Sequence, residues 1–296
     1  ERGYEALHAS GFERRALLGS DVGVAVGISS TDFAFVLAAG PNADSVYAAT
    51  SSALSIASGR LSYVLGLQGP CLAVETACSA SLVALDYAAK AVCTRECEVH
   101  LAAGVNLILL PSSSLGLAVA GMTSARGRSH TFDRRADGFA RGEGCCAVTL
   151  LGNSPQSGLK LEGSAVRQDG RSASLTAPNG LAQQALLRAA LADAGVGPAA
   201  VARLEAHGTG TALGDPIEAG SLAGAVLSAR GAESAAVAVG SVKANSGHAE
   251  PAAGLTGLVV LALGLVAQRA SPNAQLRVLN PHVGGAVRAV GCALPV

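Results

Sequence analysis

The sequence predicts an α/β protein whose sheets are covered by helices on both faces. Three observations lead there. Near-continuous apolar runs of strand length recur at 21–28, 71–75, 99–109 and 145–151. Longer runs with helical patterning lie between them, "ATSSALSIASGRLSYVLG" and "ASLVALDYAAKAV" among them. Ala, Val, Leu and Gly dominate a chain that is 50% hydrophobic and only 3% aromatic, a composition suited to close-packed layers. A strand apolar at successive positions buries both faces, and helices are what cover them.

The elements follow in order. The opening "ERGYEALHASGF" is an amphipathic helical pattern. After the first group of strands comes "GNSPQSG" (152–158), the clearest internal joint. A second series follows it: strand "LKLEGSAV" (159–166), helix "LAQQALLRAALADAG" (181–195), strand "ARLEA" (202–206), a Gly/Thr loop, a helix, and strand "AAVAVGSV" (235–242). In "GDPIEAG" the spacing puts Asp215 at a helix N-cap, Pro216 at the first helical position and Glu218 three residues on. That start would hold the preceding loop rigid from its far end.

Composition excludes several function classes. The 296 residues carry 21 Lys+Arg against 21 Asp+Glu, a net charge of zero, where a nucleic-acid binder would show a basic excess. The longest apolar stretch, "GLTGLVVLALGLVAQ", is shorter than a membrane span and reads as a buried helix. No signal-peptide pattern opens the chain. Seven cysteines, an odd number without a C-x-x-C pair, read as reduced thiols of an intracellular compartment, the cytoplasm foremost, with no metal site.

Three positions offer chemistry. Cys78 follows an apolar run and precedes a helix, in "VETACSASL". A thiol at a helix N-terminus is favoured as thiolate, and the local N–H groups could cradle an oxyanion. The other reading is a packed structural thiol, which is how Cys71, Cys93, Cys97, Cys145, Cys146 and Cys292 read. His207 ends an apolar strand and enters "GTGTALG", where Gly208, Gly210 and Gly214 allow close approach and Thr209 and Thr211 offer hydroxyls. Its glycine spacing is neither the dinucleotide nor the Walker A pattern. His248 lies in "SVKANSGHAEPAAG", after a strand and before an apolar helix, with Lys243 just upstream to bias the local field. Either histidine alone could be structural; His8, His100, His130 and His282 read as surface or packing. One cysteine and two histidines at strand-end turns fit the loops where α/β folds bind ligands. A thiolate can accept an acyl group, and two neutral imidazoles can polarise a second carbonyl.

Five motifs, in order along the chain, carry a resemblance: "VETACSASLVAL", "TFDRRADGFARGEG", "VRQDGRSASLTAPNG", "EAHGTGTALGDPIEAG" and "SVKANSGHAEPAAG". Together they resemble the β-ketoacyl synthase (ketosynthase) domains of modular type I polyketide synthases. The resemblance implies a thiolase-like fold, a five-layered αβαβα sandwich of two similar halves. The halves would be 1–155, with the nucleophile, and 156–296, with two histidines. It implies a chain incomplete at both termini, beginning inside the domain and stopping before a Gly-rich segment that supplies a gate and an oxyanion-hole N–H. It further implies a homodimer.

Residue by residue, the resemblance makes Cys78 the acyl-accepting nucleophile. His207 and His248 would hydrogen-bond the malonyl thioester carbonyl, Lys243 would support them, and Thr209 and Thr211 would contact a phosphopantetheine arm. No cofactor is bound in this scheme. Substrates ride on the phosphopantetheine of an acyl carrier protein, with an acyltransferase domain in the same or a partner chain. The reaction is decarboxylative Claisen condensation. The chain departs from the family pattern at Ala80, Arg134, Arg135 and Arg167, none at a proposed catalytic position. Two other readings stay open: a non-catalytic, carrier-binding relative, and the ketosynthase of a fatty-acid or polyunsaturated fatty-acid synthase. A cysteine hydrolase fits less well, because its pair wants an Asn or Asp orienter where His248 stands.

Overall fold

A computed structural model describes residues 1–29, 32–152, 158–231, 235–287 and 291–295. The central part of the "GNSPQSG" joint, 153–157, lies outside these residues. The chain divides into two compact units, each interleaved in sequence. The first comprises 1–116, 142–157 and 249–256; the second comprises 117–141, 158–248 and 257–296.

The first unit is built on a four-stranded mixed sheet. Its strands are β1 (Val22–Gly27), β2 (Cys71–Val74), β3 (Val99–Asn106) and β4 (Gly144–Leu151), in the order β2-β1-β3-β4. β1 pairs in parallel with β2 and β3, and β4 runs antiparallel to β3. All six residues of β1 are buried, as its unbroken apolar run requires of a central strand. Leu7, Leu17, Val22, Val24, Val26, Leu65, Leu67 and Leu101 close the core on one face. On the other, the helix Ala80–Cys93 sits against the sheet at two glycines. A Cβ at Gly27 would lie 2.4 Å from the Ser81 backbone N, and one at Gly104 would lie 2.6 Å from Ser81 Cβ. Only glycine lets the start of that helix come so close, and the turn carrying Cys78 comes immediately before it.

The second unit holds a three-stranded parallel sheet, β5 (Arg203–Glu205), β6 (Val237–Gly240) and β7 (Cys292–Ala293), in that order. Its core gathers Phe132, Leu222, Leu227, Val237, Val239, Val283 and Val287 around the helix Gly214–Ala225.

The structure corrects three expectations. Residues 159–166 form no strand: the segment is mostly exposed and no described strand ladders with it. It runs over a helix end instead, with Ser164 N donating to Asp193 at 2.9 Å. The helical run from 49 to 66 is two helices, Ala48–Ser52 and Leu54–Leu65, broken where Ala53 turns extended (φ −70, ψ 128). The Thr/Ser residues there compete for the backbone: Thr50 and Ser52 hydroxyls both donate to carbonyls of the preceding turn. Asp215 is not an N-cap. The helix begins at Gly214 after Leu213, so Asp215 falls inside its first turn and is free to reach backwards.

Candidate active site

In the first unit β2 ends at Val74 and the chain enters a 3₁₀ turn, Ala77–Ser79, that leads into the helix Ala80–Cys93. Ala77 has φ of +50, a left-handed conformation that costs a non-glycine residue about 1 kcal/mol or more. Several contacts hold it there. The Ser79 hydroxyl donates to Thr76 O at 2.8 Å, and the Ser81 hydroxyl accepts from Leu255 N at 3.1 Å. A second strained turn, Glu250–Ala252, with Glu250 at φ +47, packs against the first. Cys78 is thus half-buried on a sharp, braced corner at the start of a helix.

The second unit assembles His207, Lys243 and His248. His207 follows β5 by two residues, and the loop after it is pinned by two carboxylates of the helix Gly214–Ala225. Glu218 accepts from His207 N and, at 2.7 Å, from Gly208 N. Asp215 accepts from Gly210 N and Thr211 N with one oxygen (3.0 and 3.2 Å) and from Phe132 N with the other (2.7 Å). Gly208 and Gly210 take φ of +47 and +80, and a Cβ at either would collide with Ser241 or with the His130 backbone. The Thr211 hydroxyl accepts from Gly214 N at 3.1 Å, and Thr209, buried, lies 3.5 Å from it, oxygen to oxygen.

β6 ends at Gly240, and the turn beyond it is held from two sides. Ser241 N donates to Asn273 Oδ1 at 2.9 Å, and Val242 N donates to Glu205 at 2.6 Å. Lys243 is buried at the head of the short helix Lys243–Ser246. His248 N donates to Ala140 O at 2.7 Å, which fixes its backbone to the 129–141 strip. Its ring stands edge-on to His207, centroids 5.5 Å apart and planes at 88°, and edge-on to Phe139 at 5.1 Å.

Electrostatics make both imidazoles neutral. Burial, with Lys243 adding its positive charge, pushes His207 down to about 3. Burial, Lys243 and His207 push His248 down to about 2. His207 keeps an accessible face, where water screens part of this effect. Around Lys243 stand Glu205 and Glu218, both pushed up by burial and drawn partly back by the lysine charge. Burial likewise raises Asp215 to about 6 against the pull of its three N–H donors.

The structure therefore brings three of the sequence candidates together in the second unit and sets Cys78 on its own braced turn in the first. Thr209 and Thr211 lie in the His207 loop, the latter also serving the helix start. Sequence reasoning missed Glu205, and it assigned Asp215 and Glu218 to their own helix end although they hold the His207 loop. The motif over 131–144 was singled out, but none of its residues was given a role at the His207 and His248 loops. The one available signal was "GDPIEAG", whose two acids one turn apart face the same way.

Comparison with known proteins agrees with this architecture. Residues 1–155 match the family described as Beta-ketoacyl synthase, N-terminal domain, and residues 160–277 match Beta-ketoacyl synthase, C-terminal domain. Among solved structures, the chain is similar to the oxazolomycin ketosynthase domain OzmH KS7 of Streptomyces albus JA3453. The TM-score is 0.88 and the identity 34%, over 98% of this chain and 52% of that one. It is also similar to the ketosynthase from module 6 of the bacillaene synthase of Bacillus subtilis 168. There the TM-score is 0.84 and the identity 32%, over 95% of this chain and 49% of that one. The fold is thus thiolase-like, of the ketosynthase kind. The chain belongs to the β-ketoacyl synthase family. Among curated relatives, it is similar to two polypeptides of the phenolphthiocerol/phthiocerol polyketide synthase of Mycobacterium tuberculosis. It is 42% identical to the first over 289 residues and 41% identical to the second over 292. Those matches cover 96% and 97% of this chain but only 15% and 19% of the relatives' length.

Proposed function

We propose that this chain is the condensing domain of a polyketide synthase, joining an acyl group on Cys78 to a malonyl unit on an acyl carrier protein. The observation that carries the reading is the pair of neutral imidazoles, His207 and His248, set edge to face beside a buried lysine. Imidazolium rings could not both share that space. Neutral rings, each with one N–H, suit the oxygen of a single thioester.

In the first half-reaction the Cys78 thiolate attacks an acyl thioester, the carrier thiolate leaves, and the acyl group rests on sulfur. The malonyl thioester then takes its place. Its C–CO₂⁻ bond breaks, carbon dioxide departs, and the electron pair moves into an enolate whose oxygen accepts from His207 and His248. The enolate carbon attacks the acyl-cysteine carbonyl and expels the Cys78 thiolate, leaving a β-ketoacyl chain on the carrier. Burial, with the Lys243 charge added to it, keeps the imidazoles neutral, and Thr209 and Thr211 line the way for the phosphopantetheine arm. In this reading 1–155 supplies the nucleophile and 156–296 the decarboxylating pair. The partners are an acyl carrier protein, an acyltransferase domain in the same or another chain, and a second copy in a homodimer. Seven cysteines outside any disulfide fit a reducing compartment, the cytoplasm.

Radiolabelled acyl transfer tests the assignment. Cys78→Ala should abolish loading, and label persisting on another cysteine would move the nucleophile. His207→Ala and His248→Ala should each spare loading yet cost on the order of 10²-fold or more in malonyl decarboxylation. Normal turnover in either variant would refute their role.

A further inference from the structure

Among the described residues, one strip touches both histidine-bearing loops. Its Thr131 hydroxyl donates to Gly208 O, Phe132 N donates to Asp215, and Gly138 N donates to Gly210 O, all on the His207 side. Its Ala140 carbonyl accepts from His248 N, and the Phe139 ring stands against the His248 ring. A second strip, 273–280, touches the Lys243 turn: Asn273 accepts from Ser241 N, and Ala274 N donates to Asn245 Oδ1 at 3.2 Å. The relative placement of these two strips therefore sets where both rings and the lysine stand.

The strips are joined by backbone bonds, Arg134 N to Val278 O and Asn280 N to Phe132 O, each 2.9 Å, and by an ion pair with a planar fork. Asp133, wholly buried, takes Nε and Nη2 of Arg135 at 2.7 and 3.2 Å. Its second oxygen also accepts from Arg277 N and Val278 N of the other strip at 2.7 and 2.9 Å. The same Arg135 Nη2 continues across to Gln275 O at 2.7 Å. One guanidinium thus grips a side chain of the first strip and a carbonyl of the second. Arg135 is also one of the positions where this chain departs from the pattern it resembles.

We infer that Arg135 is a positioning residue for the decarboxylation step, acting through Asp133 and Gln275 to hold His207, Lys243 and His248 in register. The inference rests on the condensing-enzyme reading above. Ångström-scale misplacement of oriented groups can cost 10²-fold in rate, so a clasp remote from the reacting atoms suffices. Lysine cannot replace it, because an ammonium lacks the fork that bridges two acceptors.

A pH signature accompanies the geometry. Burial by itself would raise the Asp133 carboxyl; the bonds from Arg135 and from the backbone of 277 and 278 outweigh it and hold it well below the usual carboxylate range. The other ionisable groups around this corner, Arg126 and Asp137, face His130 together with Asp133 and Arg135. Without Arg135 the Asp133 carboxyl would protonate at higher pH, and its grip on 277 and 278 would weaken in mild acid.

The test compares the unaltered chain with Arg135→Met and Arg135→Lys. Expected for Arg135→Met are unchanged acyl loading of Cys78, a fall of about tenfold or more in decarboxylation kcat, malonyl KM within about twofold, and an acid limb displaced to higher pH. Arg135→Lys should recover only part of kcat. Imidazole resonances of His207 and His248 should shift in both variants while that of the exposed His8 stays put, a readout that needs no turnover. An unaltered chain without decarboxylation would sink the proposed function, and the imidazole shifts would still decide the positioning role. Wild-type kcat and pH profile in Arg135→Met, or loading and decarboxylation falling in parallel with thermal stability, would overturn the inference. If Arg135→Met fails to fold, full recovery of kcat and resonances in Arg135→Lys would overturn it equally.

Discussion

At the scale of the residue, the governing quantity is the charge on two rings. An imidazole pushed to about 3 or about 2 no longer titrates near its ordinary value of about 6.5. Malonyl decarboxylation measured from pH 5.5 to 8 should therefore show no acid limb from His207 or His248. Lys243 lowers both, so Lys243→Met should raise their pKa values and bring such a limb into view from the acid side. A flat acid side in that variant would show that burial alone keeps the rings neutral. Ala77 illustrates the same scale differently. Its positive φ is strain located one residue before Cys78, sustained because Ser79, Ser81 and the 250–252 turn brace the corner.

At the scale of the element, the helix Gly214–Ala225 has two tasks. It packs Ala219, Leu222 and Ala223 into the core, while its first turn directs two carboxylates back onto the His207 loop. Thr211 completes that junction by accepting from Gly214 N. Thr211→Val keeps the shape and removes the acceptor, and should lower stability by about 1 kcal/mol in urea unfolding. Glu218→Gln is the sharper probe of function. A neutral amide binds the His207 and Gly208 N–H groups less strongly than a carboxylate, so decarboxylation should fall several-fold while acyl loading holds. Loss of loading in step would mean that the helix, rather than the loop, had been disturbed.

At the scale of the whole molecule, acid stability depends on what each unit has buried. His100 lies fully enclosed on β3, ring edge to Tyr87, in space that Gly23 leaves open, with Nε2 unpartnered. Burial lowers its pKa. Below about 6.5 the unfolded chain then takes a proton that the folded ring refuses, and stability drains away as pH falls. His100→Leu should flatten that dependence between pH 7 and 5, by at most about 1.4 kcal/mol per pH unit. The comparison with the parent chain matters because Asp215, Glu205 and Glu218, raised by burial, act in the opposite sense over part of the same range. An unchanged slope would mean that the folded ring takes up its proton over the same pH range as in the unfolded chain.

Legible in the order of residues were the α/β class, nearly every described strand and the strand-end turns that carry Cys78, His207, Lys243 and His248. Those are local matters: an apolar run of strand length, a glycine cluster and a proline after a turn act within a few residues. Folding in three dimensions settled the rest. Residues 159–166 have a strand's composition but no ladder partner, and a strand exists only by pairing. Asp215 and Glu218 look like helix-capping residues until the loop they brace is folded against them. Arg135 meets Gln275 across 140 residues of chain, a separation that no spacing rule reaches. Imidazole neutrality comes from desolvation and from a lysine brought alongside, and only the folded chain removes that water.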